Sequence, residues 1–404
     1  MLKLTFNRAA KLCYASMMAG NTPMVFGHAG IGKSQLAAYI AEAMTADNVP
    51  TKLEIIYGSI LGEKELGGIP IRTKKTLVGR NGEPSIEVPV NEYTIHNKVL
   101  DILNNAREGY STVLFIDELN RCDRAVQCEL MQLVLDRRIN DIKLPKNCYV
   151  ICAGNLESDD VADYQVSVLN DALKDRFCQI ELTPNLSEWL RWGLLDNPKT
   201  KESNIDSDVI DYLTEYQESF FITTGEADIK PNPRSWEMVS KGIRAIRKNY
   251  DENALEYDPL HSNDNTIYYL AAGHVGDIIG NEFFNFLKNK RNPLIKPEEF
   301  INANKNDFEV LLKKLRGESI PRMTVEITRL VKKLSEILEE SPKSLTAAIK
   351  ERFITILESL PKDFMVGELQ DIGNNYKKLH NTMSKMDPYV DLYIDTLKRV
   401  KEMS

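Results

Sequence analysis

Short apolar, β-branched runs alternate with helical patterns over roughly the first 180 residues, and after Pro184 only helical patterns remain. The runs Pro23–Phe26, Lys52–Tyr57, Thr112–Ile116, Cys148–Ala153 and Gln179–Leu182 read as strands. Their alternation with helices predicts an α/β core, 1–183, built on a parallel five-stranded sheet with crossover helices. Met1–Ala19 spreads Lys3, Arg8 and Lys11 through an apolar pattern and reads as an amphipathic helix. Between the second and third strands, residues 62–93 contain Gly67-Gly68, Pro70 and Asn81-Gly82, the signals of a hairpin-bearing insert. An insert of that length in a compact domain is usually functional. Helices are expected over Ser187–Leu195, Val209–Phe220, Ser235–Lys248 and Thr266–Lys288, giving a second, smaller domain over 184–290. From Asn292 onward prolines punctuate amphipathic segments such as Ile327, Leu330, Leu334 and Ile337, which predicts an all-helical C-terminal domain, 291–404.

Composition narrows the class. With 404 residues, 43% of them hydrophobic, and charges of mixed sign, the chain has enough apolar surface to build cores and is not disordered. The net charge of -8 argues against nonspecific nucleic-acid binding as the main activity, because that affinity comes from Lys and Arg neutralising phosphates. A slight basic excess does appear from Asn281 on. Cys13, Cys122, Cys128, Cys148, Cys152 and Cys178 form no CxxC pair and no zinc pattern, so buried free thiols in a reducing compartment are expected. No apolar run is long enough to span a bilayer and the first residues lack the core of a signal peptide, so a cytoplasmic location with no membrane partner is expected.

Three strand ends carry chemistry. Gly27-His28-Ala29-Gly30-Ile31-Gly32-Lys33-Ser34 fits GxxxxGK[ST], follows a strand and opens a helix. In that context the glycines let backbone N–H groups close around a triphosphate, Lys33 reaches the β and γ phosphates, and Ser34 supplies an oxygen to Mg²⁺. The strand Thr112–Ile116 ends in Asp117 and Glu118, which suit a second Mg²⁺ contact and a group that polarises the attacking water. Cys148–Gly154 ends in Asn155, either an ordinary turn residue or an amide that orients that water. His28 is expected to act through its backbone, and His96, His261, His274 and His380 are expected to be ordinary polar residues.

In order and spacing these residues resemble an AAA+ ATPase, and more narrowly the MoxR branch of the helix-2-insert clade, closest in pattern to phage and prophage members. The resemblance implies that Gly27–Ser34 is Walker A, Leu114–Glu118 is Walker B and Asn155 is sensor 1. It implies an arginine finger at Arg176, within Asp175-Arg176-Phe177, and sensor 2 at Arg234, in a helical lid over 184–290. Asp117-Glu118-Leu119-Asn120-Arg121 resembles the clade's "DE-x-NR" signature. Lys64–Pro70 resembles the start of its insert, and Asp136–Lys146 its pre-sensor-1 hairpin. The likeness covers about residues 1–290 and implies an ATPase using ATP and Mg²⁺, assembled as a homo-hexamer. Its output would be remodelling of a partner protein, often one with a von Willebrand A domain. The insert carries no aromatic between Ile69 and Pro89, which counts against threading of polypeptide. Arg72, Lys74, Lys75 and Arg80 keep open a rival reading as a nucleic-acid motor or loader, and a slowly turning regulatory scaffold is a third.

Overall fold

The computed structural model describes residues 1–63, 65–78, 85–156, 175–198, 200–224, 229–252, 265–288 and 294–402, and the chain divides into two compact units, Met1–Pro184 and Asn185–Ser404. The first unit is built on strands β1 (Leu2–Leu4), β2 (Thr22–Phe26), β3 (Thr51–Tyr57), β4 (Pro70–Leu77), β5 (Ile86–Tyr93), β6 (Ser111–Asp117), β7 (Arg138–Ile139), β8 (Ile142–Lys143), β9 (Cys148–Gly154) and β10 (Phe177–Leu182). Six of them form one sheet in the order β1-β10-β2-β9-β6-β3, every pair parallel. Helices α1 (Phe6–Met18), α2 (Lys33–Ala46), α3 (Asn97–Arg107) and α4 (Arg124–Leu135) supply the connections. Because crossover helices cover both faces of a parallel sheet, its inner strands are apolar throughout. Met24, Val25, Val113–Ile116 and Val150–Ala153 are all buried.

The expected five strands are present and a sixth extends the edge. Leu2–Leu4, read from sequence as part of the first helix, pairs in parallel with Ile180–Leu182, and Lys3 meets Glu181 at 3.2 Å. Three residues at a half-exposed edge are too few to show an alternating pattern, which is why the helix that follows them masked the strand. The insert forms an antiparallel hairpin of β4 and β5, with Ile71 opposite Glu92 and Leu77 opposite Ile86. Its turn, Asn81-Gly82, and Lys64 and Arg80 lie outside the described residues. A second small hairpin, β7–β8, falls where the pre-sensor-1 hairpin is expected. All six cysteines are free, but Cys128 is exposed and Cys178 only half-buried, against the expectation that all are buried. Burial pushes the Cys13 and Cys148 thiols up to about 12, so neither is a nucleophile near neutral pH.

The second unit is helical. The expected helix Thr266–Lys288 is two helices, Thr266–Val275 and Asp277–Lys288, broken at Gly276. The expected helix Val209–Phe220 ends at Glu215 and continues as a 3-10 turn, Gln217–Phe220. One apolar cluster gathers Leu190, Val209, Leu213, Trp236, Ile243 and Phe283, and another gathers Phe300, Leu312, Leu330, Phe353, Leu369 and Tyr389. The helix Ile320–Glu340 supplies Val325 to the first and Ile327, Leu330 and Leu334 to the second. A pair between the half-buried Arg191 and the buried Glu368, and the Arg329–Asp211 and Lys332–Asp196 pairs, tie the same parts together. Among the described residues, no helix is long and apolar enough to cross a membrane.

Glu326 sits in this helix fully buried. One of its oxygens accepts the Ile295 N–H at 2.8 Å, and the other has no hydrogen-bond partner among the described residues. Burial pushes its carboxyl up to about 7. A carboxyl that holds its proton more tightly when folded than when unfolded stabilises most at low pH, and loses that contribution as pH rises through the folded value. Glu326→Gln keeps the acceptor for Ile295 and removes the buried charge. The variant is expected to melt higher than the wild type at pH 8, with the difference shrinking towards pH 5, as thermal melts at the two pH values would check.

Candidate nucleotide-binding site

The strand order decides what meets at the carboxyl edge of the sheet. β2, β9 and β6 are consecutive neighbours, so Gly27–Gly32, Asn155 and Asp117-Glu118, each following one of these strands, lie side by side. Beyond β2 the loop Gly27–Gly32 leads directly into α2. Gly32, at the N-cap of that helix, has φ of 100°, a backbone conformation that an L side chain resists. The first-turn N–H groups of a helix lack intrahelical acceptors, which makes this end a ready anion site.

Lys33 is buried, with its ammonium folded back towards the loop. It donates to Gly27 O at 2.6 Å, to His28 O at 2.9 Å and to Asn155 Oδ1 at 2.8 Å. His28 thus contributes through its backbone carbonyl. Ser34 Oγ donates to Asp117 Oδ2 at 3.1 Å, which brings the two expected metal ligands together across β2 and β6. Asp117 Oδ1 accepts the Glu118 N–H at 3.0 Å. Glu118 has φ of 56° and ψ of 36°, a left-handed conformation that costs a non-glycine residue on the order of 1 kcal/mol. That turn lifts the chain out of the sheet and presents the Glu118 carboxylate, which meets Arg121 Nη1 at 3.4 Å.

Asn155 is buried at the tip of β9, and its backbone is held by Asn120. Asn120 Nδ2 donates to Asn155 O at 2.8 Å, and Asn120 Oδ1 accepts the Asn155 N–H at 3.1 Å. In the sequence Asn120 and Arg121 stand out only as the end of a signature string, which assigns neither a role. Their spacing after the acidic pair was the available signal.

Two expected residues do not belong to these strand ends. Arg176 is exposed in a turn that immediately precedes β10. Phe177 pairs with Thr22, the first residue of β2, so Arg176 sits at the amino edge of the sheet, a strand's length from the loop that follows Phe26. A five-residue strand spans about 17 Å. The residues before it, including Asp171, lie outside those described. Arg234 is exposed in the first turn of the helix Pro233–Glu252 in the second unit.

The donors present fit a magnesium nucleotide. A hydroxyl and a carboxylate are the hard oxygen ligands Mg²⁺ takes alongside phosphate oxygens, and a buried ammonium at a helix N-terminus fits a polyphosphate. Gly27, His28, Ala29, Gly30, Ile31, Gly32, Lys33 and Ser34 supply that loop, with Asp117 opposite.

Fold and loop together define a P-loop α/β AAA core. Residues 23–177 match the AAA domain of the dynein-related subfamily, a likeness that lies within the first unit. No curated protein matches the chain. Among solved structures the chain is similar to a point mutant of Thermotoga maritima RuvB (14% identity, 82% of this chain and 75% of that chain, TM-score 0.29). It is also similar to NtrX from Brucella abortus (15%, 85% and 68%, TM-score 0.33) and to C. elegans PCH-2 (16%, 70% and 68%, TM-score 0.30). Likeness at this level assigns no activity to the chain.

Lys33 contacts the loop before any bond is broken, so its loss falls on binding. Lys33→Ala is expected to weaken ATP binding by about tenfold or more, through loss of a charge-assisted contact to phosphate. Calorimetry checks it, and unchanged affinity would show that Gly27–Ser34 is not the phosphate cradle.

Proposed function

We propose that this chain hydrolyses ATP as a subunit of a homo-hexameric ring of the MoxR type and uses the cycle to remodel or activate a partner protein. The observation that carries the reading is the convergence of Lys33, Ser34, Asp117, Glu118 and Asn155 at neighbouring strand ends, with Ser34 and Asp117 already in contact. The triphosphate competes with Gly27 O, His28 O and Asn155 Oδ1 for the Lys33 ammonium. Ser34 and Asp117 would hold Mg²⁺, which neutralises charge on the phosphate oxygens when bound. Glu118 takes a proton from water as its oxygen bonds to the γ-phosphorus and the bond to the β-phosphate oxygen breaks. Asn155 orients that water. The ion pair to Arg121 is half-exposed and worth little, so it gives way readily when Glu118 turns to its task.

Arg176 supports assembly. Its guanidinium is exposed at the edge of the sheet opposite its own loop, which supports assigning it to a neighbour's γ-phosphate. Arg234 serves as a second arginine on the nucleotide. The β4–β5 hairpin supports a protein as the thing acted on. Ile71, Leu77, Ile86, Val88 and Val90 share one face of it, while Lys74 pairs with Glu87 and Lys75 with Glu92. Arg72, Lys74 and Lys75 share the two strands with Glu87 and Glu92, which leaves the hairpin close to neutral and gives the rival nucleic-acid motor little net positive charge. A protein with a von Willebrand A domain is the partner class we propose, with a cytoplasmic setting.

Two experiments bear on this. Glu118→Gln is expected to keep ATP affinity while turnover falls by a factor of at least about a hundred, because the carboxylate acts in the transition state and contributes little to ground-state binding. Near-normal kcat in that variant refutes the assignment. Arg176→Ala and Glu118→Gln are each expected to be inactive alone, yet mixed assemblies should regain part of the turnover, since an intact Arg176 on one subunit meets an intact Glu118 on the next. No recovery on mixing argues for a finger in cis or for none.

A further inference from the structure

Asn120 has no part in the chemistry described above, yet its carboxamide lies buried between two of the strand ends that perform it. We propose that Asn120 is a positioning residue that locks Asn155 to the turn bearing Glu118, so that the amide orienting the water and the carboxylate activating it are held as one unit. The inference rests on the reading of this site as a centre of ATP hydrolysis.

The argument begins with the sheet. β6 and β9 pair from Thr112–Cys148 to Ile116–Cys152, and the ladder would run on if both strands continued. β6 does not continue, because Glu118 enters the left-handed region and its backbone leaves the sheet. The backbone of Asn155 therefore needs another partner, since a buried N–H or C=O left unpaired keeps its full desolvation cost. Asn120 supplies a donor and an acceptor together, at 2.8 and 3.1 Å, so a side-chain amide stands in for the missing peptide group of β6.

Other side chains fail at this position for definite reasons. Aspartate loses the donor and sets a carboxylate oxygen against the Asn155 carbonyl, and leucine fills the space with neither group. The room for the amide is made by Gly154, where a Cβ would lie 2.8 Å from Asn120 Oδ1. The clamp reaches both reacting groups through short, stiff connections. Asn155 Oδ1 is 2.8 Å from the Lys33 ammonium, and Asn120 follows Glu118 by two residues within a single 3-10 turn, Leu119–Arg121.

The test uses the full chain with Asn120→Ala, Asn120→Asp and Gly154→Ala, the last crowding Asn120 Oδ1 and the flexible end of Met24 alike, each 2.8 Å from the new Cβ, without removing a polar group. ATP affinity by calorimetry is expected to stay within about threefold, while kcat falls about a hundredfold, the usual scale for a reacting group misplaced by about 1 Å. Asn120→Ala is expected to cost clearly less when added to Asn155→Ala than when made alone, because part of its effect passes through the Asn155 side chain and only the part that passes through Glu118 remains. Exchange of the Asn155 amide hydrogen, measured without nucleotide, is expected to quicken in Asn120→Ala. A clamp that served only stability would lower the melting temperature and leave kcat and the pairwise coupling unchanged, and that result overturns the proposal. It is equally overturned by Asn120 and Asn155 losses that multiply, or by unaltered Asn155 exchange. If Asn120→Ala does not fold, Asn120→Asp and Gly154→Ala carry the same comparison. Wild-type protein that fails to hydrolyse ATP, or Glu118→Gln that hydrolyses it normally, overturns the underlying reading as well. Normal wild-type turnover with indifferent Asn120 and Gly154 variants overturns the positioning role alone.

Discussion

Parallel pairing of β2, β9 and β6 in one register is the constraint on which the site depends. Parallel strands need crossover connections, which place helices on both faces and bury the strands completely, so their ends are fixed by packing rather than by the loops themselves. Once three neighbouring strands end at one edge, their next residues have to meet. Lys33 bonded to Asn155 and Ser34 bonded to Asp117 are two results of that single arrangement. Each bond joins residues more than eighty positions apart in the chain, and each is held in place by a core that takes no part in chemistry.

Much of this was legible in the sequence because the phosphate loop and the acidic strand end are local patterns tied to backbone needs. Gly32 has to tolerate φ of 100°, and Lys33 and Ser34 have to open the helix, so the chemistry is written in consecutive residues. β1 was not legible, since three edge residues produce no periodicity. The break at Gly276 was hidden by apolar residues that keep helical spacing on both sides of it. The role of Asn120 was hidden for a different reason. Its partners are backbone atoms of Asn155, and a bond from a side chain to a distant backbone leaves no pattern in a sequence.

Charge is distributed differently in the two units. In the first, the carboxylates of Asp117 and Glu118 sit at a strand edge and are partly solvated, so they can change partners. In the second, the half-buried Arg191 pairs with the buried Glu368, and desolvation still pushes the Glu368 carboxyl up to about 7 despite the guanidinium beside it. Such pairs are costly to break and contribute little net stability, which suits a rigid body better than a reactive centre. The helix Ile320–Glu340 contributes apolar residues to both clusters of that unit.

The proposed function joins chemistry to assembly, since it assigns Arg176 of one chain to the site of another. Steady-state ATP turnover per chain, measured across protein concentrations that carry the assembly into its monomer range, tests it most directly. The account predicts that turnover per chain collapses on dilution while nucleotide affinity is kept. Turnover per chain that stays constant down to monomer would contradict it.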